Sequence, residues 1–116
     1  MTDLLWPAYD GPDDLAAIEA VPLTDRGLPA TTYDIVTRAA ATWGDRAATS
    51  CLTDAAHWQT PSARTFAGLA AAVHRTANTL ITLGIGRRDT VAIISANCES
   101  MLWAILGAQA AAMPAA

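Results

Sequence analysis

Apolar residues recur at helical spacing in three stretches of this chain, and the runs between them read as strands and turns. Ile35, Val36, Ala39, Ala40 and Trp43 are spaced as one face of a helix. Thr31 or Thr32 caps it, Asp34 lies three residues after Thr31 as in a capping box, and Gly44 supplies a stop where a left-handed residue fits. Ala47–Leu52 and His57–Arg64 read as two strands around a turn at Thr53–Ala56, an antiparallel hairpin whose second strand is interrupted by Pro61. Thr65 then caps a second helix with Leu69, Val73, Ala77, Leu80 and Ile81 as its apolar stripe. Gly84 ends that helix, and Gly86 permits a turn kept in water by Arg87, Arg88 and Asp89.

The run Thr90–Ser95 is β-branched and almost wholly apolar, the composition of a parallel strand buried on both faces. Asn97 is placed to cap a third helix, whose apolar stripe is Met101, Leu102, Ile105 and Leu106 with Cys98 extending it backward. Helix, hairpin, helix, buried strand and helix in this order predict an α/β fold, part of a layered domain with a right-handed crossover. Ahead of it, residues 1–30 are broken by Pro7, Pro12, Pro22 and Pro29. Only Leu15–Ala20 there suggests a short helix. The expected division is an acidic, Pro/Gly-rich arm over 1–30 and a folded part over 31–116.

Charge sharpens this division. The 116 residues carry a net charge of −4. The first thirty hold six acids against Arg26, a net of −5, and the remainder is close to neutral. With no basic cluster, nucleic acid is not an expected partner. All seven basic residues are arginine. The absence of lysine rules out a Gly-Lys-Ser/Thr phosphate loop and any lysine-based catalysis within these residues. About a quarter of the residues are alanine, which raises the apolar share to 53% without supplying large core side chains.

Other chemistry is sparse. Cys51 and Cys98 make no disulfide framework and read as unpaired core thiols. With no signal-peptide pattern at the N-terminus, they suit a cytoplasmic location. His57 and His74 have no neighbouring ligand pattern, so surface positions are expected and a metal site is not. Cys98 could feel a helix N-terminus, although a packed thiol is the commoner outcome. Arg87, Arg88 and Asp89 could meet a phosphate, but a solvated turn explains them. Trp6, Trp43, Trp58 and Trp103 are too dispersed for a stacking platform. Gly84-x-Gly86 follows a helix and precedes an apolar run, the reverse of a dinucleotide fingerprint. Met101–Ala116 is uncharged but shorter than the ~20 residues of a membrane span, and it contains Gln109 and Pro114.

Three weak pieces in order carry a family resemblance: TTYDIVTRAAATWGDRAA, RTFAGLAAAVHRTANTLITLGIGRRDTVAI and SANCESMLWAILGAQAAAMPAA. Together they resemble the N-terminal part of AMP-forming acyl-CoA synthetases of the adenylate-forming superfamily, over about residues 31–116. One departure is Gly68, where many members carry a glutamate that would complete a capping box with Thr65. The resemblance implies an enzyme that activates a carboxylic acid with ATP and Mg2+ to an acyl-adenylate and passes the acyl group to coenzyme A. It implies a fatty acid first, and an aromatic acid next, as substrate. The family's Pro-Lys-Gly phosphate loop, ribose-binding acid, magnesium-supporting glutamate and adenylating lysine all lie beyond the matching region. No catalytic, cofactor-binding or metal residue is therefore assigned to this chain. The expectation is an inactive fragment of such a synthetase. The alternatives are one subunit of a split enzyme, with a second chain supplying the rest, and a non-enzymatic module that docks to a protein or a membrane.

Overall fold

The computed structural model describes residues 8–111. Trp6, Pro114 and the approach to a further strand near that proline lie outside them. The chain divides into two compact units, Met1–Ala30 and Thr31–Ala116.

In the first unit, α1 spans Pro12–Ala20, longer at its start than the sequence suggested. Pro12 occupies the first helical position, where a missing N–H costs nothing. The Asp14 carboxylate accepts the N–H groups of Asp10 at 2.9 Å and Gly11 at 3.2 Å. A 3-10 turn at Leu23–Arg26 follows in a stretch expected to be irregular. Its Arg26 turns back onto the end of α1 and donates to the carbonyls of Ile18 at 2.7 Å and Val21 at 2.8 Å. The Ile18 carbonyl also accepts the Val21 N–H at 3.3 Å, so the arginine reinforces the C-terminal end of the helix.

The second unit starts with α2, Thr32–Trp43. The capping box is present as expected: the Thr31 hydroxyl accepts the Asp34 N–H at 3.1 Å, and the Asp34 carboxylate accepts the Thr31 N–H at 3.1 Å. Val36 is buried, and Tyr33 and Ala40 pack beside it. Ile35, placed on the same face by the spacing, is 54% exposed. It sits about 100° around the helix from Val36, outside the single stripe that meets the next helix. Gly44 is also corrected. It keeps right-handed angles, φ −45° and ψ −44°, and its carbonyl accepts the Ala67 N–H at 3.0 Å.

The hairpin forms between β1, Ala47–Cys51, and β2, Ser62–Thr65. The pairing is antiparallel: Thr49 faces Arg64, Ser50 faces Ala63 and Cys51 faces Ser62, with an irregularity between Ala47 and Thr49. That irregularity leaves Ala48 free to turn onto the core. The second strand is shorter than the expected His57–Arg64. It starts only after Pro61, which has no N–H to give a ladder. His57 instead ends a 3-10 turn, Ala55–His57.

From β2 the chain passes directly into α3, Phe66–Thr82. Thr65 caps it through a 3.1 Å bond from the Gly68 N–H. Leu69, Ala70, Ala72, Val73 and Ala77 are buried, and Val73 is wholly so. The stripe fails at its far end, where Ile81 is 58% exposed. Gly84 has φ +79°, as a stop signal requires. The Gly84 N–H reaches the Ile81 carbonyl at 3.0 Å and the Ile85 N–H the Leu80 carbonyl at 3.1 Å, the two bonds of a Schellman motif.

The segment after this turn is the main correction. Thr90–Ser95 is not a buried strand. Val91 makes an isolated bridge, the residues after it belong to no strand, and Ile94 is 100% exposed. An apolar β-branched run is buried only where layers cover both its faces, and the described residues supply no such cover. Among them, the one sheet is the β1–β2 hairpin, so the expected parallel crossover is not present there.

The last helix, α4, spans Glu99–Ala110, and its N-cap is Cys98, one residue later than the expected Asn97. Leu102, Trp103, Leu106 and Ala110 pack on the core of Val36, Leu69, Ala70 and Val73. This seam includes Trp103 and leaves out Met101 and Ile105, which the spacing had placed on it. Gly107 lets the two helices approach closely: a Cβ there would fall 2.6 Å from Thr76 Cβ and Cγ2. Helix and hairpin elements thus build the expected partial α/β arrangement, with α3 at its centre.

Candidate functional site

The densest polar constellation joins the hairpin to α4. Arg64 on β2 and Thr49 on β1 are directly paired across the ladder, so their side chains share one face. Glu99, in the first turn of α4, reaches that face. Arg64 Nε donates to Glu99 Oε1 at 2.7 Å and Nη2 donates to Oε2 at 3.2 Å, while the Thr49 hydroxyl donates to Oε1 at 3.2 Å. The guanidinium also lies over the Trp103 ring, 4.6 Å from its centroid. Gly68 leaves space for this pose, since a Cβ there would come within 3.1 Å of Arg64 Cγ.

The two-pronged Arg64 contact holds the Glu99 carboxyl below the usual carboxylate range, against an opposing effect of burial. The same contact raises the arginine. A carboxylate lowered in the folded state stabilises the fold above its unfolded pKa, and this contribution is lost as the pH falls through the folded value. Glu99→Gln keeps the shape and removes the charge. The parent is therefore expected to melt higher than the variant at pH 7, with the gap closing as the pH drops below about 4. Thermal melts over a pH series check this, and parallel curves for both proteins contradict it.

Other polar side chains form separate pairs. His57 Nδ1 lies 2.7 and 2.9 Å from the two carboxylate oxygens of Asp54 on an exposed turn. That contact, with the His57 N–H, lowers the Asp54 carboxyl. His74 Nε2 is 2.6 Å from the Tyr33 hydroxyl, joining α3 to α2. The Cys98 sulfur sits 3.4 Å from Ser95 Oγ, and that hydroxyl, followed by the N–H groups that open α4, lowers the thiol. Cys51 is free and half-buried. Arg87 and Arg88 are exposed on a turn closed by the Asp89 carboxylate, which accepts the Gly86 N–H at 2.8 Å. Trp43 packs on Phe66 with ring centroids 6.0 Å apart, and Trp58 is exposed.

The two histidines belong to different pairs, and neither they nor Cys98 joins the Arg64–Glu99 constellation. That constellation was not singled out from the sequence, where 35 residues separate its two charges. Among the described residues, no three His, Cys, Asp or Glu side chains are grouped to hold a metal. None of the described helices is long and apolar enough to cross a membrane.

An adenine nucleotide makes specific demands: several N–H donors and cations converging on the phosphates. An open hollow of about 420 Å³ beside the last turns of α3 is lined by Arg75, Asn78, Thr79, Thr82 and Leu83. It offers one cation. Its two threonine hydroxyls already donate to the carbonyls of Arg75 and Asn78, each at 2.8 Å. The donor set of this hollow does not fit a triphosphate.

A family model described as AMP-binding enzyme matches residues 36–116, more than half of the chain. No curated protein and no solved structure matches it.

Proposed function

This chain belongs to the AMP-binding enzyme family, and from that premise we propose that it is a structural part of an acyl-CoA synthetase. The family reaction would be activation of a carboxylic acid with ATP and Mg2+ to an acyl-adenylate, followed by transfer to coenzyme A. A fatty acid is the first substrate class to test, and an aromatic acid the second. In this reading the 116 residues are inactive alone. They contribute the α2–hairpin–α3–α4 scaffold, and the nucleotide site is built from other residues. The observation that carries it is the contrast between family and chemistry: the match runs from within α2 through α4, while the hollow beside α3 offers one cation and the sequence contains no lysine. Pyrophosphate exchange into ATP is the test, with background exchange expected for the chain alone.

A second reading, a split enzyme, is favoured by Ile94. An isoleucine that is 100% exposed beside an apolar helix is surface another layer could cover. A second chain bearing a lysine-containing phosphate loop would then accompany this one, in the cytoplasm. Native mass spectrometry of the protein isolated from its own cells is expected to show a stoichiometric complex. A lone monomer removes this reading and leaves the first intact.

A further inference from the structure

We draw no further inference here: the strongest candidate, the exposed apolar segment around Ile94 between α3 and α4, belongs to the split-enzyme reading already given, and nothing in the structure shows what covers it.

Discussion

Replacing Leu69 with alanine is expected to destabilise the second unit by about 2–5 kcal/mol, whereas replacing Ile81 with alanine changes it by no more than about 0.5 kcal/mol. Both residues lie on the apolar stripe that spacing assigns to α3. The structure separates them. Leu69 is 8% exposed and packs with Val36, Ala70 and Val73, while Ile81 is 58% exposed near the end of the helix. Truncating Leu69 removes apolar area from a small core and leaves a cavity bounded by three helices. Its neighbours Ala70 and Ala72 are too short to fill it. Truncating Ile81 mainly uncovers water-facing surface. In a domain of this size each kcal/mol moves the thermal midpoint by about 4–8 °C, so the two variants are easily told apart. Urea unfolding followed by tryptophan fluorescence makes the comparison. Equal losses for the two variants would mean that the core has been placed wrongly.

Gly107→Ala is expected to weaken the fold even though alanine is the better helix former. The exchange gains about 1 kcal/mol of helix preference. Against this, the new methyl would lie 2.6 Å from Thr76 Cβ and Cγ2 and 3.3 Å from the Ala77 nitrogen. Real carbon atoms do not approach so closely, so α4 must move away from α3. Overpacking of this kind typically costs about 1–3 kcal/mol, leaving a net loss of up to about 2 kcal/mol. The loss arises mainly at Thr76, which holds the two closest atoms. In the double variant with Thr76→Ala, one of the two obstructing atoms is gone, and the total loss should be smaller than the sum of the single losses. A stabilised Gly107→Ala protein would show that the helices are farther apart than the structure places them.

The legible parts of this fold are those with a cause inside a few residues. Thr31 with Asp34 marks a helix start because both partners of the capping box lie within one turn. Thr65 and Gly84 bound α3 for equally local reasons, a side-chain acceptor and a backbone angle that glycine adopts freely. The hairpin was visible too, although Pro61 shortened its second strand more than the apolar pattern implied. Where long-range packing decides the outcome, the pattern misled. Thr90–Ser95 has the composition of a buried strand, but burial depends on covering layers that its own residues do not encode. α4 is apolar on nearly every side, so periodicity could not choose between a seam through Met101 and Ile105 and the one through Trp103. Arg64 and Glu99 meet only because the ladder sets Arg64 beside Thr49 and the helix start is brought over both. No spacing rule announces such a pair.

The same division explains what the candidate site is able to do. Arg64 Nε and Nη2 and the Thr49 hydroxyl all donate to Glu99, with the guanidinium over the Trp103 ring, and this geometry ties the hairpin to α4. A scaffold of this kind fits the proposed role as a structural part of an adenylate-forming enzyme.

The most direct test is exchange of labelled pyrophosphate into ATP by the purified 116-residue chain, with Mg2+ and a panel of fatty and aromatic acids. An intact acyl-CoA synthetase serves as the positive control. The account predicts exchange indistinguishable from the no-protein background with every acid. Acid-dependent exchange above that background would contradict it, because adenylation would then be taking place on a chain that contains no lysine.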